Sequence, residues 1–388
     1  MKPAPLQLPQ ALTRKLVGVT LIGVLILAAS ASFSPDRAWA NMLLGSYFLV
    51  TLGLGGVLFI ALTNVCGAGW HVAFRRVPEA MTGLLPLAGL ILLGVLAIRL
   101  PQYGWHHHGE GDAGTFWFKE QWLQPNFLAA RAVAFVLLWC CFGWLLVRNS
   151  RRQDAAGRGS KSRINTGISA LFLAVFATTF SLAGVDWIMA LEPLWFSTMW
   201  GVYHFSGLMM ATLAAMIVAC VTLRRLGPLE GIFREEHLHD LAKLLLGFSC
   251  FWMYIWFSQY MLIWYANIPE ETSYFIRRTH GPWGPVVVGS IVLNWVLPFF
   301  ILLPRPCKRS ESVTLKVAAV VLIGRWVDLY VMIFPPVIGD TPVFGIPEVA
   351  TVLSLCGLAA ILFARSFASA NAVPQSDPYL AESLHYHA

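Results

Sequence analysis

Between residues 184 and 204 the chain reads GVDWIMALEPLWFSTMWGVYH, which sets Asp186, Glu192, Pro193 and His204 among tryptophans and joins two long apolar runs. A third apolar run carries Arg325 and Asp328 three residues apart. Ionisable groups in or beside hydrocarbon are costly unless paired or hydrated, so they mark either an ion or proton pathway or a structural ion pair. Asp186, His204 and Asp328 are groups that take up and release protons, and with bridging waters they would form a proton relay. Arg325 lies on the same helix face as Asp328 at i,i+3, which reads equally as a self-neutralising pair that lets both charges tolerate burial. Trp187, Glu192, Gln259 and Tyr260 fall at a similar depth and are either the surroundings of that relay or the walls of a site for a flat quinone ring. The run His106-His107-His108, with Glu110 and Asp112 behind it, shows no spacing suited to a metal, and it reads as a solvated or partner-contacting loop.

These residues are positioned by apolar helices. With 57% hydrophobic and 12% charged residues and a mean hydropathy of +0.65, the chain has too little polar surface for a water-soluble fold. Since about 20 apolar residues cross a bilayer core, spans are expected near 16–33, 42–63, 80–99, 126–147, 165–189, 195–223, 241–266, 283–303, 313–335 and 347–366. The expected fold is all-α and polytopic, with about ten transmembrane helices in a single integral membrane domain over 1–388.

Loop charge gives the direction of each span. Alternate loops hold the basic residues, including Arg75 and Arg76, the series from Arg148 to Arg163, and Arg305, Lys308 and Arg309; the intervening loops hold Asp36, Glu110, Asp112, Glu192, Glu270, Glu271, Asp340 and Glu348. Both termini are therefore expected on the cytoplasmic side. The net charge of +7 follows from this bias and calls for no nucleic-acid partner. The first span also resembles a signal peptide, with Arg14 and Lys15 before it and Ala38-Trp39-Ala40 after it, although its apolar run is longer than the usual core.

The seven cysteines form no CxxC or CxxCH pattern and read as small apolar packing residues. Paired axial ligands for a haem b are also missing. His204 is about 14 Å below the outer surface, at 1.5 Å per residue, whereas His71, His237 and His239 fall at inner helix ends. Arg131 enters the outer half of the fourth span, Asp186 lies near the outer end of the fifth, and Asn294 falls near the middle of the eighth.

Three strings, GVDWIMALEPLWFSTMWGVYHFSG at 184–207, QYMLIWYANIPEETSYFIRR at 259–278 and IGRWVDLYVMIFPP at 323–336, resemble the NrfD-like (polysulfide-reductase-type) membrane subunits of bacterial alternative complex III. They look most like the shorter, ActF-type subunit. The resemblance implies two four-helix bundles, 42–189 and 195–335, with peripheral helices 16–33 and 347–366 and a cytoplasmic tail at 367–388. It also implies a quinol:cytochrome c oxidoreductase of the bacterial inner membrane, in which iron–sulfur clusters and haem c sit in partner subunits and quinone or menaquinone is the donor.

The implied partners are an iron–sulfur (molybdopterin-like) subunit, a multihaem cytochrome c, a second NrfD-like membrane subunit, the lipid bilayer and the quinone pool. By the same resemblance this chain supplies assembly surface and a proton path, with Asp186, His204, Asp328 and Arg325 as its working residues. Two other readings stay open: a quinol-oxidising anchor of the polysulfide-reductase type that binds quinone itself, and a secondary transporter.

Overall fold

A computed structural model of the chain describes residues 10–100, 117–156, 163–192 and 195–387. The His106–His108 run, Glu110, Asp112 and Pro193 lie outside the described residues. Among the described residues every regular element is helical, and ten helices are long and apolar enough to cross a membrane. This is a multi-pass membrane protein of all-α class. In hydrocarbon a backbone group without a partner costs several kcal/mol, and a helix satisfies all of its own in the interior.

The spanning helices are α1 (Gln10–Phe33), α2 (Pro35–Val65), α3 (Val72–Ile98), α4 (Pro125–Asp154), α5 (Ile164–Leu191), α6 (Trp200–Arg225) and α7 (Glu235–Ala266). A short helix, α8 (Pro269–Thr279), comes next. The spans α9 (Gly281–Leu302), α10 (Glu311–Ile338) and α11 (Ile346–Ala368) complete the set. Local chemistry sets several boundaries. Asn267 takes the left-handed conformation (φ 49°) and ends α7, and Pro269 two residues later starts α8 with its fixed φ.

In α2 and α6, 78% of the most apolar stretch is buried within the protein, and in α10 it is 72%, which makes these three the centre of the molecule. Helices α2, α3, α4 and α5 pack around one another, as do α6, α7, α9 and α10, and the two groups meet where α2 touches α6 and α10 and where α5 touches α6. Gly55 permits one such close approach, because a Cβ there would lie 1.7 Å from Thr212 Oγ1 on α6. The outlying α1 packs chiefly on α11, and only Gly23 of it is buried.

Helix α3 begins near residue 72 rather than 80, and its first turns carry charge into the interior. Arg75, Arg76 and Glu79 are buried there, not exposed in a loop. Arg76 pairs with both Glu79 and Asp154, and Arg75 with Asp377 and, at 3.3 Å, with Glu79. The last residues also belong to the folded body. The Ser383 hydroxyl accepts the Ala73 N–H at 2.9 Å and donates to the Trp70 carbonyl at 2.6 Å, its carbonyl meets His237 Nε2 at 2.9 Å, and the Tyr386 hydroxyl donates to Asp240 at 2.6 Å. The end of the molecule that holds these contacts is called the basic end below, and the end with Glu192 and α8 the acidic end.

Candidate functional site

A buried acid, Asp328, lies at the seam where α10 meets α6. Its carboxylate pairs with Arg325 one turn back and accepts the Tyr203 hydroxyl, and Trp252 Nε1 donates to it at 3.3 Å. Asp328 is 3% exposed and Arg325 fully buried. The guanidinium lies against α6 at Gly207, where a Cβ would come within 2.5 Å of its central carbon. Two of its nitrogens, Nε and Nη2, have no partner among the described residues. A buried cation with spare donors calls for water or a shifting partner.

His204 sits one position beyond Tyr203 on α6. The Tyr47 hydroxyl of α2 meets its Nδ1 at 2.7 Å, so this bond crosses from one helix group to the other, and His204 Nε2 is buried with no partner among the described residues. The Arg325 charge reaches both Tyr47 and His204 electrostatically. Arg325, Asp328 and His204 thus belong to one neighbourhood, with Tyr203, Trp252 and Tyr47 as members that the sequence did not single out.

Asp186 belongs to a different cluster. It is fully buried, and one oxygen accepts Trp122 Nε1 at 2.7 Å while the other accepts Arg131 Nε at 3.0 Å. Arg131 in turn lies over the rings of Trp122 (4.0 Å) and Phe127 (4.3 Å). Trp187 is fully buried next to it, edge-on to Trp139 and Tyr47, so it packs in the first helix group. The residues proposed as one relay are therefore divided between an Asp186 cluster that binds α4 to α5 and an Asp328 cluster that binds α6, α7 and α10.

Glu192 lies near the acidic end, 2.9 Å from Arg278 and 3.6 Å from Arg277 of α8. Gln259 donates to the Ser197 hydroxyl at 2.8 Å, and Tyr260 stacks nearly parallel on Trp256. Glu270 and Glu271 occupy the first turn of α8, where acids suit the positive end of the helix dipole.

A narrow cavity joins several of these residues. Trp200, Tyr203, Trp256, Gln259, Tyr274, Arg278, Ser290 and Asp328 line it, so Asp328 and Gln259 share one space. It has room for about one water molecule at a time. Burial pushes the Tyr274 phenol up to about 12 against the opposing charge of Arg278, so this wall presents a neutral hydroxyl. Trp187 and Tyr260 do not line the cavity.

Near Ser290, α9 loosens into a π-helical turn over Val292–Val296. The Asn294 carbonyl of that turn accepts the Ser249 hydroxyl, and its side-chain amide donates to the Ser290 carbonyl at 3.0 Å. Among the described residues no three of His, Cys, Asp and Glu come together as a metal site.

Arg278 is the contributor that sequence reasoning missed altogether. Its Nε donates to the Val331 carbonyl at 3.0 Å, and its Nη2 to the Met332 carbonyl at 3.3 Å. The signal for it was present in the sequence. Pro335 and Pro336 have no N–H, which leaves the carbonyls four residues earlier, at 331 and 332, in need of a donor.

No family model matches the chain, and no curated protein matches it.

Proposed function

We propose that the protein is a membrane subunit of a respiratory quinol:electron-acceptor oxidoreductase of the alternative complex III type, in the bacterial inner membrane with both termini cytoplasmic, and that it carries protons through Asp328. One observation supports the proton role above the others: a buried carboxylate, ion-paired to Arg325 and bonded to the Tyr203 phenol, forms part of the wall of a cavity of water size. Carboxylates in such settings are the usual stations of proton pathways. Support for the respiratory assignment comes from the three strings at 184–207, 259–278 and 323–336.

In this mechanism a proton reaches Asp328 by way of water in the cavity. The Tyr203 hydroxyl and Trp252 N–H hold the carboxylate in one orientation, and Arg325 balances its charge while it is ionised. When Asp328 binds a proton, the guanidinium loses its counter-ion and turns its spare donors toward water or the Tyr47–His204 pair. The cavity is water-sized, which suits a proton carried by water. Iron–sulfur clusters and haem c are assigned to its proposed partners.

The test is purification from native membranes in mild detergent with mass spectrometry of what accompanies the chain. A multihaem cytochrome c, an iron–sulfur subunit and a second NrfD-like protein are expected. Recovery of a lone oligomer that accumulates a solute in vesicles would overturn the assignment in favour of transport.

A further inference from the structure

Helix α10 carries two adjacent prolines, Pro335 and Pro336, in its last turns. A proline inside a helix removes one backbone donor and leaves the carbonyl four residues back unsatisfied. Here those carbonyls belong to Val331 and Met332, both buried, and they lie in the turn that follows Asp328. In apolar surroundings such groups are costly without a partner.

The missing donors come from a different element. Arg278, near the end of α8, is 2% exposed. Its Nε and Nη2 serve the two carbonyls, its Nη1 donates to the Tyr274 carbonyl at 3.2 Å, and its Nη2 also donates to Glu192 at 2.9 Å. The guanidinium lies 3.6 Å over the Tyr274 ring. Tyr274, Phe275, Arg278 and Thr279, all from α8, line the cavity that contains Asp328, as do Val331 and Met332. One side chain therefore closes the proline-broken turn of α10, fixes α8 over the cavity and ties both to Glu192.

We propose that α8 is the lid of the Asp328 cavity and that Arg278 is its latch, a positioning residue that acts through the two proline-freed carbonyls. The importance of Asp328 rests on the proton reading; the latch itself rests on the hydrogen bonds.

The experiment follows the rate at which a small water-soluble thiol reagent modifies Val287→Cys, a position in the cavity wall, in the full chain in native membranes. The labelled peptide is quantified by mass spectrometry. Arg278→Ala should raise the rate about tenfold or more. Arg278→Lys, which keeps the charge and can serve one carbonyl well, should raise it a few-fold. Arg278→Ala combined with Pro335→Ala and Pro336→Ala should keep the raised rate, because α10 recovers its own N–H donors while no bond from α8 to α10 returns. A rate that the alanines bring back to its starting value would mean that the two unsatisfied carbonyls, and not the lost tie between α8 and α10, had opened the cavity.

An unchanged rate in Arg278→Ala, or full return of the rate with the alanines, overturns the latch. If Arg278→Ala does not accumulate in membranes, an unchanged rate in Arg278→Lys overturns it equally. The two readings separate through Asp328→Asn: normal proton transfer in that variant removes the proton role and leaves a labelling-defined latch intact, whereas lost proton transfer beside unchanged Arg278→Ala labelling removes only the latch.

Discussion

At the scale of single residues, the interior is governed by what happens to a charge when its partner is removed. Asp328→Asn keeps the shape of the side chain and the bond from Tyr203 but leaves Arg325 facing a neutral amide. Proton transfer per turnover should fall in this variant while the complex still assembles, as measured by pH-indicator dye in vesicles. Any loss of assembly should be recovered by Asp328→Asn with Arg325→Gln, which restores neutrality. Normal proton transfer in the single variant would sink the role given to Asp328.

Asp186 calls for a different expectation, since its partners make it a brace. Arg131→Ala leaves a fully buried carboxylate with Trp122 as its remaining donor, and loss of about 3–5 kcal/mol is expected from breaking a buried pair. Replacing both residues together, Arg131→Met with Asp186→Leu, should recover most of that. Thermal unfolding in detergent distinguishes the two outcomes, and equal losses in the single and double variants would show that the pair is not what stabilises the α4–α5 contact. Gly207→Ala would drive a methyl group into the Arg325 guanidinium, and a loss of about 1–3 kcal/mol is expected by the same assay from overpacking.

At the scale of elements, the ten spans were legible because long apolar stretches leave few alternatives, and the acids of the site stood out against them. Where the reading of elements failed, charges that neutralise each other had masked the signal. Arg75, Arg76 and Glu79 look like a polar loop in the sequence, yet Arg76, Glu79, Ser150 and Asp154 satisfy one another, so α3 starts about two turns early. The division of the proposed relay was illegible for a similar reason. Depth along a helix can be counted from loop charges, but the direction in which Asp186 faces depends on Trp122, which comes from a short helix at Trp117–Trp122 that no hydropathy window detects. Tyr47 gave no signal at all, being one aromatic residue among many.

Helix ends follow the same logic. Lys308 donates to the Leu302 and Leu303 carbonyls at 2.7 and 2.8 Å and so caps α9, and burial lowers its affinity for a proton. Lys308→Met should cost about 1–3 kcal/mol through two carbonyls left without a donor, read as a lower midpoint of thermal unfolding; an unchanged midpoint would mean that water replaces the lysine.

At the scale of the whole molecule, the final residues bind both helix groups at the basic end. Asp377 meets Arg75 beside α3, Ser383 and Tyr386 meet α7, and the backbone N–H of Gln375 donates to Asp154 on α4. The bond to Asp240 pushes the Tyr386 phenol up to about 12. A raised phenol pKa means that the folded state holds the proton more tightly, so this contribution is complete below about pH 10, the unfolded value, and is lost as pH climbs toward 12. Stability measured from pH 6 to 9 should therefore be the same for the native chain and Tyr386→Phe apart from a constant offset. A difference that varies within that window would show that another titrating group controls the tail.

The ion pair at the acidic end carries a consequence for biosynthesis. Glu348, fully buried at the start of α11, accepts bonds from Arg37 and Asn41 of α2 and from its own Gly345 N–H, across 311 positions of sequence in the case of Arg37. Ribosomes add about 5–20 residues each second. Arg37 must therefore wait roughly 15–60 s after its own synthesis for its counter-ion to emerge. Throughout that interval the nascent protein exposes an unpaired cation and an uncovered face of one of its central helices, which makes the insertion machinery, and whatever protease surveys it, the first environment this sequence has to survive.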